Sequence, residues 1–239
     1  MITLYSYPEL FGLSDNNPYG LKVYAFLHLS GLPFVQAHVF DASQAPRGQL
    51  PYVADGETMV GDSDVIIRHL TEHHGLTLDA GMSADERCTD HLVRRTLDDL
   101  YWVMSYSRWA DERYWRQFRD GLLAAHSQLT AADLDGARAY NAKRYHYQGI
   151  GRYEPDGVYE RGLADLGALA HLLRGPFLFG DQPRSTDAAL YGFVANIHFY
   201  PIDTPLKRFV AATPALSGHV ERVHALVAPP PPGSQANEG

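Results

Sequence analysis

The first 40 residues alternate between strand-like and helix-like patterns, and this alternation restricts the fold more than any other feature of the chain. Residues 2–7, ITLYSY, and 33–40, PFVQAHVF, carry the aliphatic, Thr and aromatic residues typical of β-strands. Between them Asn17 is a typical helix N-cap, Pro18 suits the first helical position, and Gly31 suits a helix end. A strand, a helix and a strand in this order predict two parallel strands joined by a right-handed crossover.

A hairpin and a second helix are predicted to follow. Asp55-Gly56 lies between two short β-prone runs, which is a strong signal for a type I′ hairpin turn. The next helical pattern has Asp62 and Ser63 at its start and Gly75 at its end. The order βαβ and then ββα is that of a thioredoxin-like domain.

From residue 83 onward the sequence indicates helices alone. Ser83 and Glu86 have the spacing of a capping box. Helical patterns are predicted at about 83–113, 117–146, 156–174, 185–199, 204–212 and 214–227. The predicted fold class is therefore an α+β thioredoxin-like N-terminal domain followed by an all-α C-terminal domain. The predicted parts are a first domain over 1–75, a linker over 76–82, a helical domain over 83–228 and a disordered Pro-rich tail over 229–239.

Composition argues against several kinds of partner. The formal net charge is −8, from 28 acidic and 20 basic residues, and no Lys/Arg-rich run occurs. Nucleic acid and anionic membrane surfaces are therefore not expected as partners. No apolar stretch approaches the roughly 20 residues that span a bilayer, and the N-terminus lacks the features of a secretory signal. A single cysteine, Cys88, excludes an internal disulfide, so we expect a cytoplasmic protein.

Two features of the first domain predict a site for a peptide-like ligand. Pro51 opens the hairpin where thioredoxin-like domains place a cis-proline, which would leave the Leu50 N–H and C=O free to pair with an extended ligand. Asp62 and Ser63 are favoured helix caps, and the same groups suit the ammonium and carboxylate of an α-amino acid. A ligand with a peptide-like middle and an α-amino-acid end is implied, and glutathione has that shape.

Several motifs resemble those of the glutathione transferase superfamily, in the same order and over the whole chain except the tail. GQLPYVADGETMVGDSDVIIRHL resembles the segment with the cis-proline and the acid-Ser pair, and NPYGLKV resembles the start of the first helix. GDSDVIIRHL, YQGIGRYE, STDAALYGFVA and PLKRFVAATPALSGHVERV resemble the failed-axon-connections and metaxin-like branch. The resemblance implies glutathione as co-substrate, Pro51 as the cis-proline, Leu50 as the backbone partner of the cysteinyl part, and Asp62 and Ser63 at the γ-glutamyl end.

The group that would stabilise the glutathione thiolate is left open. Asn17 matches the Ser, Thr or Cys of the superfamily; an amide can donate a hydrogen bond but cannot form a mixed disulfide, so glutaredoxin-like chemistry is not expected. Tyr7 lies near the position of the phenol in tyrosine-type transferases, and Ser14 lies in the preceding loop. Backbone groups alone are a further alternative. Each residue also has a structural interpretation: a helix cap for Asn17, a half-buried strand residue for Tyr7 and a turn residue for Ser14.

The acceptor substrate is expected against the first helix of the second domain, where aromatic residues are dense. Trp102, Ser105, Tyr106 and Trp109 share one helical face, which suits either core packing or the lining of an apolar pocket. The candidate pocket residues are Tyr19, Tyr101, Trp102, Ser105, Tyr106 and Trp109.

No metal site is predicted. His69 and His73 are four residues apart on one helix and His74 is adjacent, but no third ligand with suitable spacing accompanies them, so a solvated helix end is favoured.

Two classes of function remain after these steps. The first is an enzyme in which the glutathione thiolate attacks a small apolar electrophile, or alternatively a glutathione-dependent isomerase. The second is a non-catalytic, metaxin-like interaction module that keeps the fold. A homodimer is implied by the resemblance, because the superfamily usually pairs through both domains.

Overall fold

The computed structural model describes residues 1–228, and the predicted tail, 229–239, lies outside the described residues. The strands are β1 (Ile2–Ser6), β2 (Phe34–His38), β3 (Tyr52–Asp55) and β4 (Thr58–Gly61). The helices are α1 (Pro18–Leu29), α2 (Ser63–His73), α3 (Ala84–Trp109), α4 (Glu112–Ala125), α5 (Ala131–Gln148), α6 (Pro155–Leu172), α7 (Ser185–His198), α8 (Pro205–Ala212) and α9 (Pro214–Val227), with a short 3-10 helix at Ile150–Arg152. Within residues 1–228, none of the helices is long and apolar enough to cross a membrane.

The four strands form one mixed sheet in the order β2-β1-β3-β4. β1 pairs with β2 in parallel, as the crossover predicts, and β3 is antiparallel to both β1 and β4. The hairpin is confirmed, but the predicted type I′ turn is wrong. A type I′ turn needs a positive φ at both central residues. Gly56 has a φ of +63°, but the φ of Glu57 is not positive, so the turn has the type II′ pattern with glycine first.

Two predicted helix boundaries are also wrong, and local caps explain both. The helix predicted to reach about residue 113 ends at Trp109, because Asp111 caps α4 by accepting a hydrogen bond from the Arg113 N–H. The helix predicted over 117–146 is interrupted between α4 and α5. There Thr130 and Asp133 form a reciprocal capping box, in which the Asp133 carboxylate accepts from the Thr130 N–H at 2.9 Å.

The start of α7 is capped by a carboxylate, although Ser185 and Thr186 stand at its first positions. Asp187, which is fully buried, accepts from the Arg184 N–H at 2.8 Å and from the Leu178 N–H at 2.9 Å. Ser185 instead donates its hydroxyl to Asp79, and Thr186 donates to Asp90. The helix start is therefore capped by the carboxylate of Asp187, three residues into the helix, and not by the hydroxyl of Ser185 or Thr186.

Helix α1 belongs to the α/β part of the chain (β1–β4, α1 and α2) and packs directly against the helical part (α3–α9). Its central run, GLKVYAFL, is buried at every position, since the sheet and α2 cover one side and α7 covers the other. Gly192 on α7 allows this close packing: a Cβ atom there would lie 2.6 Å from the Pro18 carbonyl oxygen and 2.7 Å from the Lys22 nitrogen. The start of α1 is thereby held at the junction of the two parts.

Candidate active site

The start of α1 presents the Asn17 side chain in a defined orientation. Asn17 is the N-cap of the helix, and its Oδ1 accepts a hydrogen bond from the Tyr19 N–H at 3.0 Å. Because the cap uses Oδ1, the Nδ2 group remains for another acceptor, and no residue in 1–228 takes that place. One side chain thus combines a helix cap with an N–H donor.

A buried carboxyl fixes the backbone of Asn17. Asp15 is fully buried, and its Oδ1 accepts a hydrogen bond from the Asn17 N–H at 2.6 Å. Burial raises the pKa of Asp15 well above its ordinary value, against the opposing effect of that hydrogen bond. The carboxyl lies against Gly20, where a Cβ atom would overlap Oδ2. Glycine at position 20 therefore leaves the room that this carboxyl occupies.

Tyr7 lies beside Asn17, and the two residues line the same cavities. Its hydroxyl has no hydrogen-bond partner in the described part of the chain. Burial raises the pKa of Tyr7, assisted by the nearby Tyr101 and Asp15 and opposed by Arg144. The phenol therefore stays protonated and can act as a donor.

Ser14 is not brought to this site. It lines neither of the two cavities described below, and its carbonyl oxygen accepts hydrogen bonds from Gln36 Nε2 at 2.9 Å and from His38 Nε2 at 3.1 Å. Its position fits the structural interpretation as a loop residue.

The Leu50-Pro51 peptide bond is cis, as the resemblance implies. Leu50 is buried, and its backbone N–H and C=O have no hydrogen-bond partner in residues 1–228. Both residues line the cleft that also contains Asn17. A backbone donor and acceptor are therefore available there to an extended ligand.

The start of α2 forms the other end of the same cleft. Asp62 has a φ of +77°, which non-glycine residues seldom adopt, and its Oδ1 accepts from the Asp64 and Val65 N–H groups. Ser63 is 5% exposed, and its Oγ accepts from Lys22 Nζ at 3.2 Å. Since an ammonium supplies that hydrogen bond, the hydroxyl hydrogen of Ser63 remains to be donated to a ligand.

A buried charge network supports Ser63, and sequence reasoning missed it. Lys22, only 2% exposed, places Nζ 2.6 Å from Asp64 Oδ1, and Arg94 Nη1 lies 2.8 Å from the same oxygen. Burial raises the pKa of Asp64, but Lys22 and Arg94 outweigh this effect and hold it below its ordinary value. The available signal was a lysine inside the otherwise apolar α1 pattern, a position where an unpaired charge would be costly.

The first cavity is a polar cleft of about 500 Å³. It lies between the starts of α1 and α2 on one side and helices α3 and α5 on the other. It contains the predicted ligand-binding residues together with acidic and basic groups that the sequence did not single out. Its lining residues are Tyr7, Asn17, Tyr19, Gly48, Gln49, Leu50, Pro51, Asp62, Ser63, Asp64, Arg95, Asp98, Tyr101, Trp102, Tyr140 and Arg144.

The second cavity is a pocket of about 380 Å³ with more apolar walls, formed mainly by α3, α4 and α5. Its lining includes Phe40, Met104, Trp109, Phe118, Leu122, Leu129, Leu134 and Ala137. Five residues line both cavities, namely Tyr7, Asn17, Tyr101, Tyr140 and Arg144. The polar cleft and the apolar pocket therefore meet at the start of α1.

The aromatic face predicted on α3 is divided between these cavities and the core. Trp102 lies in the polar cleft, and Ser105 and Trp109 line the apolar pocket. The structure does not bring Tyr106 to either cavity; its ring packs against that of Tyr145, with ring centroids 6.0 Å apart. Tyr19 lines the cleft, and its hydroxyl donates to Asp98 at 3.1 Å.

Arg144 is the most prominent residue of the junction that sequence reasoning missed. Its guanidinium lies 5.0 Å from the centre of the Trp102 ring and donates to Asn141 Oδ1 at 2.9 Å. It reaches the junction from α5, together with Tyr140, whose side chain is largely exposed. No local motif marks either residue, and only the packing of α5 against α3 brings them to the site.

Models of the glutathione S-transferase N-terminal domain and C-terminal domain match residues 18–114 and 162–223. The isoprene-epoxide–glutathione S-transferase of Rhodococcus sp. (strain AD45) is 32% identical over 233 residues, covering 93% of this chain and 98% of that protein. The chain belongs to the glutathione S-transferase family.

Other relatives agree with this assignment. Failed axon connections of Drosophila melanogaster is 26% identical over 93% of this chain, which spans 57% of that protein's length. Among solved structures, the beta-etherase LigF from Sphingobium sp. strain SYK-6 has a TM-score of 0.64 at 20% identity, with 94% of this chain and 95% of that chain covered. A glutathione S-transferase from Methylobacterium radiotolerans, in complex with glutathione sulfonate, has a TM-score of 0.61 at 16% identity, with 95% and 94% covered. These structures share the fold of a thioredoxin-like domain followed by a helical domain.

Proposed function

We propose that this glutathione S-transferase binds glutathione in the polar cleft and transfers it to a small apolar electrophile in the adjoining pocket. The observation that supports this proposal most strongly is the meeting of two cavities of different polarity at Asn17 and Tyr7. A polar cleft suits a charged tripeptide, and an apolar pocket suits a small organic acceptor.

The γ-glutamyl end of glutathione would lie at the start of α2. Its carboxylate would accept from the Ser63 hydroxyl and from the Ser63 N–H at the helix start, where the macrodipole favours an anion. Its ammonium would pair with Asp62 or with Asp98, which both line the cleft. The cysteinyl backbone would pair with the free N–H and C=O of Leu50.

The thiol of a ligand held in this way would reach the start of α1. The N-terminal end of a helix lowers the pKa of a thiol because it stabilises the negative charge. Asn17 Nδ2 and the Tyr7 hydroxyl are side-chain donors at the start of α1 that have no partner in the described residues. We infer that Asn17 is the principal donor to the thiolate, because its cap fixes the amide and Tyr7 has no comparable anchor.

An epoxide is the acceptor class that we propose, supported by the name of the Rhodococcus relative and by the polar groups around the apolar pocket. The thiolate would attack one epoxide carbon, forming a C–S bond while the C–O bond breaks and its electron pair stays on oxygen. The resulting alkoxide would take a proton from solvent or from a phenol at the junction. Arg144 lines both cavities and would stabilise the developing negative charge.

Calorimetric titration with reduced glutathione tests the first half of the proposal. We expect wild-type protein to bind glutathione and Ser63→Ala to bind at least about ten-fold more weakly, because a hydrogen bond to a charged group contributes about 1.5–3 kcal/mol. Ser43→Ala is the matched control, because Ser43 is an exposed loop serine that lines neither cavity, and it should bind like wild type. Absence of heat at millimolar glutathione, from protein shown to be folded, would favour the non-catalytic interaction module.

Product analysis tests the second half. Incubation with glutathione and a panel of small epoxides should give adducts whose mass is the sum of the two reactants. An isomerase would instead release a product with the mass of its substrate and leave the glutathione concentration unchanged. The homodimer and the cytoplasmic location stay predictions from the sequence.

A further inference from the structure

A second polar cluster lies at the far end of the sheet, where the β3–β4 hairpin meets the end of α2. Asp55 is the last residue of β3, and its side chain is 8% exposed. The Nε2 atoms of His74, His69 and His73 lie 2.9, 3.1 and 4.0 Å from Asp55 Oδ2. The ligand atoms of Asp55, His73 and His74 are all within 4.8 Å of one another. A buried carboxylate thus faces three imidazoles.

We propose that Asp55, His73 and His74 bind a divalent transition metal ion, with Zn²⁺ as the reference ion. Zinc holds imidazole nitrogen and carboxylate oxygen at about 2.0–2.2 Å, so tetrahedral ligand atoms lie about 3.3–3.6 Å apart. The separations from Asp55 Oδ2, 2.9 Å to His74 and 4.0 Å to His73, bracket that value, so small rotations of the side chains suffice. Two imidazoles and one carboxylate suit zinc, nickel or copper, whereas calcium and magnesium prefer oxygen ligands alone.

His69 completes the cluster as a positioning residue. Its Nε2 donates to Asp55 Oδ2 at 3.1 Å, and its ring stacks on that of His73 with centroids 5.4 Å apart. A group that hydrogen-bonds a ligating carboxylate orients it for the metal. His73 is 64% exposed, so the fourth coordination position is open to water.

The sequence did not reveal this site because no further ligand with suitable spacing accompanies the histidines. The missing carboxylate comes from the hairpin, 14 residues before His69, and only the packing of α2 on the sheet brings the two together. Ser63 and His73 are at opposite ends of α2, about 15 Å apart at 1.5 Å per residue. The metal would therefore cross-link the hairpin to α2, away from the glutathione cleft. It would stabilise the folded state because it binds that state and not the unfolded chain.

Zinc titration calorimetry on untagged, EDTA-stripped protein tests this proposal. We expect wild type to bind one Zn²⁺ per chain, and His73→Gln and Asp55→Asn to bind at least about ten-fold more weakly. His69→Gln should weaken binding by about 10- to 100-fold, as loss of an outer hydrogen bond does. His91→Gln is the matched control, because His91 is also an exposed helical histidine and belongs to no such group in residues 1–228; it should bind like wild type.

A second measurement covers the possibility that Asp55→Asn is misfolded. Since His73 is largely exposed, His73→Gln should fold normally, which circular dichroism checks. Zinc should raise the melting temperature of wild type and of His91→Gln, and leave that of His73→Gln unchanged. Absence of Zn²⁺ binding by wild type up to millimolar concentration, or equal binding by His73→Gln and His91→Gln, would overturn the proposal.

Discussion

At the residue scale, Asn17 caps α1 through Oδ1 and offers Nδ2 to the junction of the two cavities. Substitutions can separate these two roles, because residues that cap a helix equally well differ in what they offer a thiolate. Aspartate accepts the same hydrogen bond from the Tyr19 N–H but brings a negative charge and no N–H. Serine retains both an acceptor for the cap and a donor for the ligand.

We expect Asn17→Asp to keep the stability of wild type and to lose about 10- to 100-fold in kcat/KM for glutathione conjugation, since a hydrogen bond to a charged group contributes about 1.5–3 kcal/mol. Asn17→Ser should keep most of the activity. Asn17→Ala should lose activity and also about 0.5–2 kcal/mol of stability with the cap. Thermal melts and steady-state rates on the three variants make the comparison; an Asn17→Asp enzyme as active as wild type would transfer the donor role to Tyr7 or the backbone.

At the scale of elements, Gly192 lies in the contact between α1 and α7, where a Cβ atom would meet the backbone of Pro18 and Lys22. We expect Gly192→Ala to destabilise the protein by about 1–3 kcal/mol, because two helix backbones must move apart. Gly136→Ala in α5 is the control. Nothing lies within 4 Å of its Cβ position, so alanine should raise the free energy of unfolding by about 0.5–1 kcal/mol. Urea denaturation measures both, and a neutral Gly192→Ala would contradict this close packing.

The ion pairs among α1, α2 and α3 give the stability a pH dependence. The pKa of Asp64 is held below its ordinary value, so its contribution is complete above about pH 3.9, the unfolded carboxyl value, and is lost as pH falls through the lower folded value. Asp64→Asn leaves the Lys22 ammonium buried without its carboxylate. We expect a loss of about 3 kcal/mol at pH 6, the low end for such pairs because Asp64 is 34% exposed.

Melting curves of wild type and Asp64→Asn from pH 6 to pH 2 test this origin. The difference between the two proteins should shrink as the pH falls below about 4, because protonation of Asp64 removes in wild type what the substitution has already removed. Asp203→Asn breaks an exposed pair with Arg208 and should cost at most about 1 kcal/mol. A difference that stays constant down to pH 2 would show that the carboxylate charge is not the cause.

At the scale of the whole molecule, the site is assembled from both parts of the chain, and this explains which parts of it the sequence could predict. Asn17, Pro51 and Ser63 belong to local patterns of caps, prolines and turns, which can be recognised within a few residues. Arg144 and Tyr140 come from a helix more than 70 residues further along, and no local pattern connects them with α1. Their place depends on how α5 packs against α3, which short-range rules do not determine.

The helix boundaries show the same limit. The chain from 117 to 146 is helix-compatible throughout, yet the reciprocal cap of Thr130 and Asp133 starts a new helix inside it. The turn between α4 and α5 lets both helices contribute walls to the apolar pocket. An uninterrupted helix could not supply both walls. The helix break that the sequence did not predict is therefore needed to form the pocket.

The proposed ionisation of the glutathione thiol at the start of α1 can be measured directly, because a thiolate absorbs in the ultraviolet. The absorbance difference between bound and free glutathione, followed as a function of pH in wild type and Asn17→Asp, gives the pKa of the bound thiol. We predict a value at least about one unit below the ordinary thiol value of 8.5 in wild type, and a higher value in Asn17→Asp. A bound thiol that titrates like free glutathione in both proteins would contradict the claim.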